Sequence, residues 1–334
     1  MKAIYLVRNG APEKAFEWRD IQVREPQADE VAIETEAAGI NFADVSARLG
    51  NYRDCPPLPA VIGYEAVGRV TAVGAQVKDI QPGQRVVAFT RFGGYSQWIC
   101  QKALAVAVIP EDMPAGEALA LATQYCTAYY ASHVVTNVLP GEKVLIQAAA
   151  GGVGTALIQL CKLRGAFIYG TAGSPAKLDY LKEQGVDVGI NYNREDFEKA
   201  ISEPIDVAFD SIGADTFRKC YKLLNNGGRL VGYGAASFTD AHQILSKAKK
   251  ALEFGIYHPA QLLMESRSII GVNMLRIADH RPDLLQYCMQ QVIQLYQEGK
   301  IRPHAGTMYP AADLAKAHAD MENRKTIGKI GILF

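Results

Sequence analysis

Residues 144–154 read Val144-Leu145-Ile146-Gln147-Ala148-Ala149-Ala150-Gly151-Gly152-Val153-Gly154. The apolar start predicts a buried strand, and the glycines that follow predict a narrow turn into a helix. Backbone amides in the first helical turn bind phosphate well, because they have no partners within the helix and the helix dipole favours negative charge there. Glycines leave room for a pyrophosphate to reach those amides. The stretch therefore predicts a dinucleotide-binding turn.

The motif itself leaves an alternative open, because an alanine stands in place of the first glycine of the G-x-G-x-x-G signature. A flexible turn in an α/β protein without a nucleotide site would look similar. The context favours the nucleotide site, since strands and helices alternate along the following residues. The predicted strands are 143–147, 167–170, 188–191, 206–210, 229–233 and 268–272, and the helices between them are 153–164, 175–184, 194–201 and 216–224. This rhythm predicts a parallel, doubly wound sheet.

The regions on either side of this sheet have a different texture. Short β-branched runs bounded by Gly, Pro or acidic residues predict a mostly antiparallel β-rich domain. Its predicted strands are 1–7, 30–37, 67–73 and 329–334, and residues 83–89 predict a turn and then a buried strand. The predicted helices are 41–50, 118–135 and 282–298. We therefore expect a β-rich domain formed by residues 1–121 and 276–334, interrupted by a Rossmann domain at 122–275.

Charge balance, the lengths of apolar runs and the spacing of Cys and His residues argue against several classes of protein. The 334 residues carry 35 basic and 35 acidic side chains, so nothing indicates bulk attraction to nucleic acid. No signal peptide and no apolar run of membrane-spanning length is found. The six cysteines are scattered, which is typical of reduced thiols, and the six histidines show no metal-ligand spacing. We expect a cytoplasmic protein without a transmembrane segment.

The choice of cofactor depends on the end of the second strand of this sheet. An NAD enzyme normally places an acidic residue there, against the ribose 2′-hydroxyl. No Asp or Glu occurs between Gly151 and Leu178, whereas Gly173, Ser174 and Lys177 follow the strand. A hydroxyl and an ammonium suit a 2′-phosphate. Lys177 alone would more simply be a solvated helix residue, but the missing acid favours NADPH.

Several motifs in order along the chain are typical of one family. They are Asn41-Phe42-Ala43-Asp44, Arg48-Leu49-Gly50-Asn51-Tyr52, Pro59-Ala60-Val61-Ile62-Gly63-Tyr64-Glu65-Ala66-Val67-Gly68 and the Ala150-Gly151-Gly152-Val153-Gly154 turn. With these motifs the chain resembles the quinone oxidoreductase (zeta-crystallin-like) branch of the medium-chain dehydrogenase/reductase superfamily. Three further segments are Pro56-Pro57-Leu58-Pro59, Met264-Glu265-Ser266-Arg267 and Gly299-Lys300-Ile301-Arg302-Pro303-His304. They resemble the synaptic-vesicle membrane protein subgroup of that branch. The resemblance implies a GroES-like β-rich catalytic domain beside the Rossmann domain, and a homodimer.

The same resemblance implies that the chain holds no catalytic zinc. Zinc alcohol dehydrogenases of the superfamily place a Cys where Asn41 stands and a His where Tyr64 stands. Neither an amide nor a phenol replaces those ligands on zinc. Glu65 remains, but one carboxylate cannot hold the metal. Tyr64 is expected to fill the vacated space, and alcohol oxidation is disfavoured without the Lewis acid.

Family residues carried over to this chain form the expected site. Asn41, Tyr52 and Tyr64 are the expected catalytic residues, with Asn41 orienting the acceptor carbonyl or the carboxamide. Tyr52 either donates a hydrogen bond or proton to the acceptor oxygen or is only an aromatic anchor of its loop, and bound water is the alternative acid. The expected cofactor contacts are Thr127, Ala150, Gly151, Gly152, Val153, Gly173, Ser174, Lys177, Tyr192, Gly232, Tyr233, Gly234, Ala235, Val272, Asn273 and Arg324.

The leading hypothesis for function is NADPH-dependent, zinc-independent reduction of a quinone or an α,β-unsaturated carbonyl compound. An alternative is a nucleotide-binding protein that acts through a membrane or a partner, for which the basic and apolar segment 240–259 is the candidate surface. We favour a solvated helix for that segment, because its basic residues are few. RNA binding is disfavoured by the neutral charge balance, and a zinc alcohol dehydrogenase by the missing ligands.

Overall fold

The structure is a computed structural model that describes residues 1–238 and 244–334. The chain forms two compact units. The flanking unit consists of Met1–Cys126 and Met274–Phe334, and the central unit of Thr127–Asn273. Each unit has its own sheet and its own apolar core.

The strands in chain order are β1 Lys2–Leu6, β2 Phe16–Asp20, β3 Glu30–Ile40, β4 Ala60–Val61, β5 Glu65–Val73, β6 Arg85–Phe89, β7 Trp98–Lys102, β8 Val106–Val108, β9 Lys143–Ile146, β10 Phe167–Ala172, β11 Val188–Asn191, β12 Ile205–Asp210, β13 Leu224–Gly232, β14 Ser268–Gly271, β15 Ala305–Pro310 and β16 Lys329–Leu333.

The α-helices are α1 Pro12–Ala15, α2 Phe42–Arg48, α3 Ala115–Ala120, α4 Cys126–Tyr129, α5 Gly152–Leu163, α6 Pro175–Glu183, α7 Phe197–Ala200, α8 Asp215–Leu223, α9 Ile244–Glu253, α10 Pro259–Glu265, α11 Met274–His280, α12 Pro282–Gln297 and α13 Leu314–Glu322.

The central unit is a parallel sheet in the order β11-β10-β9-β12-β13-β14. Its central strands β9 and β12 are mostly buried, as expected for a sheet with helices on both faces. The chain order reverses between β9 and β12, and the carboxyl ends of the strands at this reversal are where open α/β sheets bind ligands. The predicted doubly wound fold is confirmed.

The flanking unit is β-rich, as predicted. Its larger sheet runs β15-β16-β3-β5-β6-β8, with β7 also paired to β3, and a smaller sheet runs β2-β1-β4. The long strand β3 pairs with β16, which places Ile40 opposite Ile330. Residues almost three hundred positions apart in the sequence therefore meet beside the start of α2.

Three predicted elements differ from the structure. The helix expected at 194–201 is confined to α7, because Asp196 caps its first turn and Asn191 holds the preceding turn by accepting from the Asn193 amide at 3.0 Å. The strand expected at 229–233 begins earlier, at Leu224. The helix expected at 118–135 contains two π-helical stretches, at Leu121–Tyr125 and Tyr130–Val135.

Strands β2, β4, β7, β8 and β15 were not predicted from the sequence. β2 reads Phe16-Glu17-Trp18-Arg19-Asp20. Its apolar and polar residues alternate as in a half-buried strand, so a signal was present, although the run is short and mostly exposed. The basic segment at 240–259 is described only in part, since residues 239–243 lie outside the described ranges; its later residues form α9 and the start of α10. Within residues 1–238 and 244–334, no helix combines the length and apolar character needed to cross a bilayer.

Candidate active site

The predicted phosphate-binding turn lies between β9 and α5. Gly151 is the N-cap of α5, with Gly152 and Val153 in the first helical turn. The backbone amides of a first turn have no acceptor within the helix, so they are free to bind an anion. A Cβ on Gly154 would lie 2.6 Å from the Ala149 carbonyl oxygen, so only glycine allows the helix to approach the strand so closely.

The turn is fixed to the neighbouring strand β10. The Ala148 amide donates to Thr171 Oγ1 at 3.1 Å, and the Ala149 amide donates to the Thr171 carbonyl at 2.9 Å. Thr171 Oγ1 in turn donates to Gln147 Oε1 at 2.7 Å. Ala148 has a φ of 50°, in the left-handed region that favours glycine. The hydrogen bonds to Thr171 hold the turn in place despite this strained backbone.

The residues expected at the 2′-phosphate come together at the end of β10. Ser174 caps α6 by accepting from the Lys177 amide at 3.3 Å. Asn193 Nδ2 donates to the Gly173 carbonyl at 2.7 Å, and a Cβ on Gly173 would lie 2.4 Å from the Tyr192 hydroxyl. The loops after β10 and β11 are therefore in contact. Hydroxyls and an ammonium are present there, and the first acid after the turn is Asp179, on the exposed surface of α6.

The loops after β12, β13 and β14 belong to the same edge of the parallel sheet. The Tyr233 amide donates to the Asp210 carbonyl at 3.0 Å, and the Val272 amide donates to the Gly232 carbonyl at 2.9 Å. Asp210 is buried, and its carboxylate accepts from the amides of Ile212 and Gly213 at 2.8 and 2.9 Å. Burial raises the pKa of Asp210 to about 6. These bonds fix the backbone of the expected contacts, which are Gly232, Tyr233, Gly234, Ala235, Val272 and Asn273.

Two expected cofactor contacts, Thr127 and Arg324, do not belong to the loops that follow the parallel strands. Thr127 is buried in α4, at the beginning of the central unit. Arg324 belongs to the flanking unit, where it follows α13 with a φ of 58° and an exposed side chain. Its part in cofactor binding stays a prediction.

In the flanking unit, Asn41 lies in a buried polar network at the start of α2. Asn41 Nδ2 donates to Glu65 Oε1 and Oε2 at 2.9 and 2.8 Å. Lys329 Nζ donates to Glu65 Oε1, to Asn41 Oδ1 at 3.1 Å and to the Ile40 carbonyl at 3.2 Å. Thr123 Oγ1 donates to Glu65 Oε2 at 2.5 Å. Glu65 and Lys329 have no exposed side-chain surface, so this is a buried ion pair.

A second buried carboxylate, Asp44, lies on the first turn of α2. Its oxygens accept from the amides of Asn41 at 2.8 Å and Gly63 at 3.0 Å. Burial, and then the nearby charge of Glu65, raise the pKa of Asp44 to about 8. Asp44 is therefore largely protonated at neutral pH. The site carries the buried charges of Glu65 and Lys329, which cancel.

The other two expected catalytic residues form an aromatic group with Phe92. The rings of Tyr52 and Tyr64 meet edge to face at 6.1 Å, and Tyr64 and Phe92 lie 5.3 Å apart. The Tyr64 hydroxyl is buried and has no hydrogen-bond partner, although the Tyr52 phenol is close enough to affect its pKa. Burial raises the pKa of both tyrosines, so both are neutral hydroxyls at physiological pH.

The sequence analysis missed Lys329, and it gave Glu65 no partner. Tyr64 was expected to fill the space of a lost metal. That role of Tyr64 stays a prediction. The structure shows the Lys329 ammonium on the Glu65 carboxylate. The sequence did contain a signal for this pair. Glu65 and Lys329 are each the charged first residue of an apolar run, in Glu65-Ala66-Val67-Gly68 and Lys329-Ile330-Gly331-Ile332. Charged side chains are almost never fully buried unless they are paired.

Other candidate ligands do not converge on these residues. In the part of the chain that the structure describes, no three His, Cys, Asp or Glu side chains are grouped so that they could hold a metal ion. All six cysteines are free thiols. Burial lowers the pKa of His133 to about 4 and that of His318 to about 3, so both rings are neutral at physiological pH.

Two protein-family models together match most of the chain. The model described as the alcohol dehydrogenase GroES-like domain matches residues 27–134, and the model described as zinc-binding dehydrogenase matches residues 184–331. Among curated proteins, the human synaptic vesicle membrane protein VAT-1 homolog is 33% identical over 312 residues, which are 91% of this chain and 79% of that protein.

Solved structures give the same picture along the whole chain. The Escherichia coli quinone oxidoreductase complexed with NADPH is similar, with a TM-score of 0.86 and 28% identity over 100% of each chain. The CurK enoyl reductase also gives a TM-score of 0.86 and 28% identity, covering 99% of this chain and 98% of that one. Their similarity extends over both units of the fold.

Proposed function

Given that this chain belongs to the quinone oxidoreductase-like family of the medium-chain dehydrogenase/reductase superfamily, we propose that it transfers a hydride from NADPH to a quinone or an α,β-unsaturated carbonyl compound. The observation that carries the proposal is a glycine turn at the reversal point of the parallel sheet, followed by a strand end that offers hydroxyls and an ammonium where an NAD enzyme has an acid. The chain is an oxidoreductase, and its cofactor is NADPH.

The residues of the central unit fit a phosphorylated dinucleotide. A Cβ on Gly151 would meet only the Ala148 carbonyl oxygen, at 3.2 Å, so the space beside the first amides of α5 is open. Ser174 and Lys177 lie at the start of α6, and Tyr192 contacts the same loop through Gly173. We propose that Ser174, Lys177 and Tyr192 bind the adenosine 2′-phosphate, with Arg324 as a further cation.

The acceptor class follows from what the flanking unit offers. NADPH supplies the hydride. Quinones and enones share a carbonyl conjugated to a carbon–carbon double bond, so hydride addition places negative charge on the carbonyl oxygen. Asn41 and the Tyr52 hydroxyl are neutral hydrogen-bond donors suited to that oxygen, whereas the Tyr64 hydroxyl is buried and packs behind Tyr52 through its ring. The tyrosine pKa values are raised, so a phenol keeps its proton until the oxygen becomes basic. A proton from Tyr52 or from water completes the reduction.

The donor set supports a reaction without zinc. An amide and a phenol stand at positions 41 and 64, and neither replaces a thiolate or imidazole ligand. The nearest carboxylate, Glu65, is held by the Lys329 ammonium, the Asn41 amide and the Thr123 hydroxyl, which use both of its oxygens. We expect activity to survive exhaustive dialysis against a chelator, and elemental analysis of active protein to find no stoichiometric zinc.

The test of the proposal is NADPH oxidation with phenanthrenequinone and with a simple enone as acceptors. Turnover with either acceptor well above the rate without protein supports the proposal. Tight NADPH binding without turnover on a broad acceptor panel contradicts it.

Cofactor selectivity has its own test. Lys177→Ala and Arg324→Ala are each expected to raise the NADPH KM about 10-fold, the effect of losing one charge-assisted hydrogen bond, while the NADH KM changes little. An equal rise for both cofactors would refute the assignment of these residues to the 2′-phosphate. Lys182→Ala, on the exposed last turn of α6, is the matched control and should leave both KM values unchanged.

A homodimer through the central unit is part of the proposal. β14 is the last strand of its sheet, and within the described residues it pairs only with β13. The neighbouring helix α10 exposes two large apolar side chains, Leu263 at 80% and Met264 at 87%. An unpaired strand edge beside exposed apolar surface favours association of two copies. Light scattering should give a dimer mass, and Leu263→Glu should shift it towards the monomer.

A second candidate function uses exposed apolar residues at and after the end of α9. Leu252 and Ile256, at 72% and 89% exposure, follow the lysines of α9, a combination that suits an anionic membrane. The name of the vesicle-protein relative agrees with this alternative. Co-flotation with phosphatidylserine vesicles, abolished by Ile256→Glu and absent with neutral vesicles, would support membrane binding. A dimer that does not float would support the interface between copies.

The six free thiols agree with the proposed cytoplasmic location.

A further inference from the structure

Asn41 lies in a network in which Lys329 and Glu65 have no hydrogen-bonding capacity left. An ammonium has three N–H donors, and Lys329 uses them on Glu65, Asn41 Oδ1 and the Ile40 carbonyl. Each Glu65 oxygen accepts from Asn41 and from one other group, Lys329 on Oε1 and Thr123 on Oε2. The ion pair is fully satisfied within the protein, and Glu65 and Lys329 have no exposed surface through which they could touch a ligand.

Asn41 itself retains capacity. Its Nδ2 lies at nearly equal distances, 2.9 and 2.8 Å, from the two oxygens of one carboxylate. Those oxygens subtend too narrow an angle at the nitrogen to receive both N–H bonds, so they share one. The second N–H remains, and the Asn41 side chain is half-buried, whereas Glu65 and Lys329 are fully buried.

The charges also decide which way the amide faces. Its nitrogen can only donate and its oxygen can only accept. The nitrogen therefore faces the carboxylate and the oxygen faces the ammonium, and a flipped amide would set donor against donor and acceptor against acceptor. In a buried site of low dielectric such a mismatch is strongly unfavourable.

We propose that Lys329 and Glu65 are positioning residues that hold the Asn41 amide in one orientation, so that its remaining N–H is directed at the acceptor carbonyl. This inference rests on the proposed reductase function. Lys329 acts through the amide oxygen and Glu65 through the amide nitrogen, and neither touches substrate. Gly39 makes the arrangement possible, because a Cβ there would lie 1.8 Å from Glu65 Oε1 and 2.6 Å from Lys329 Cε.

Lys329→Met removes the ammonium while keeping a similar volume. We expect kcat/KM for the acceptor to fall about 10- to 100-fold, the usual effect of misplacing a group that contacts the substrate. The Kd for NADPH, measured by fluorescence without an acceptor, should stay within about twofold. The matched control is Arg85→Met, which removes another buried cation of the flanking unit, paired with Glu36. It should lower stability but leave acceptor kcat/KM unchanged.

The double variant Glu65→Gln/Lys329→Met keeps the inference testable if the single variant does not fold. Removing both charges avoids an unpaired buried carboxylate, so the double variant should be more stable than Lys329→Met. The neutral side-chain amide introduced at position 65 can face either end of the Asn41 amide, so acceptor kcat/KM should stay low. Wild-type acceptor kcat/KM in the stable double variant, or an equal loss in Arg85→Met, would overturn the inference.

A readout without turnover separates this inference from the proposed function. The side-chain amide signals of Asn41 can be assigned by nitrogen-15 NMR from their loss in Asn41→Asp. They should shift in Lys329→Met and in the double variant, and remain in place in Arg85→Met. Wild-type protein that reduces no acceptor refutes the proposed function, whereas unshifted signals refute the positioning role.

Discussion

The proposed phosphate-binding turn and the network around Asn41 are built in opposite ways. The turn is formed by neighbouring residues, 148–154, and its proposed role depends on backbone amides and the absence of side chains. The network joins Asn41, Glu65, Thr123 and Lys329, which come from distant parts of the chain and work through side-chain charge and hydrogen bonds. The two regions are therefore sensitive to different kinds of substitution.

The turn tolerates changes that preserve its backbone, because its chemistry belongs to the main chain. The network depends on mutual satisfaction, since removal of one partner leaves a buried charge unpaired. Substitutions in the two regions should therefore differ in kind. Those in the turn should mainly affect NADPH binding, and those in the network should affect both stability and the acceptor.

The largest effect is expected for Gly39→Ala. Its Cβ would overlap Glu65 Oε1 and crowd Lys329, so the buried pair must separate or the strand must move. We expect a loss of about 3–5 kcal/mol in the free energy of unfolding, the range for breaking a buried ion pair. Urea unfolding measures it. Gly189→Ala on β11, where the nearest atom is the end of the Leu178 side chain at 3.2 Å, is the control. A similar loss in both variants would show that the pair is not the cause.

Each unit contains one buried carboxylate whose pKa is raised, so the pH dependence of stability can be compared between the two. Asp44 and Asp210 each accept two backbone amides, and both pKa values are raised, to about 8 and about 6. The folded state then binds a proton that the unfolded state has released, so stability falls as pH rises from about 4 towards each folded pKa, by at most about 1.4 kcal/mol per pH unit for each group.

Asp44→Asn should therefore flatten the fall in stability between pH 5 and about 8, whereas Asp210→Asn should flatten it only below about pH 6. Unfolding free energies at pH 5, 6, 7 and 8 for wild type and both variants measure this. The amide substitutions lower stability at every pH, so the slope is the relevant quantity. Identical slopes in the two variants would contradict the higher pKa of Asp44 relative to Asp210.

A smaller effect is expected for Gly154→Ala in the turn. Its Cβ would lie 2.6 Å from the Ala149 carbonyl oxygen, so the helix must move away from the strand, at a cost of about 1–3 kcal/mol. Gly151→Ala is the matched variant, because its Cβ would meet only one atom, at 3.2 Å. It should cost little stability but raise the Kd for NADPH, since its methyl group occupies the approach of the pyrophosphate. The reverse pattern would place the cofactor elsewhere.

The smallest effect is expected for Ala148→Gly. Ala148 has a φ of 50°, and glycine adopts this backbone without strain. The gain is reduced by the greater freedom of glycine in the unfolded chain, so we expect a net stabilisation of about 0.5–1 kcal/mol. NADPH affinity should not change. Thermal unfolding measures the shift, and a lower stability would show that the hydrogen bonds to Thr171 already relieve the strain.

Local patterns explain why the central unit was predicted so fully. Each of its strands and most of its helices is marked by an apolar run and a following turn, and the glycines at 151, 152 and 154 lie next to the strand that they serve. The exceptions have local causes, such as the Asp196 cap that shortens α7. In the flanking unit, β2, β4, β7, β8 and β15 escaped prediction. Each has at most six residues, and β4 and β8 are too short to show a periodic pattern.

The sequence alone determined the doubly wound sheet, the position of its glycine turn and the missing acid that favours NADPH, because all three are properties of neighbouring residues. Only the tertiary structure decided which partners Glu65 and Asn41 have. Pairing of β16 with β3 brings Lys329 against both side chains, and Gly39 leaves the space for it. Such a pairing is set by strand register over nearly the full length of the chain, and no local pattern encodes it.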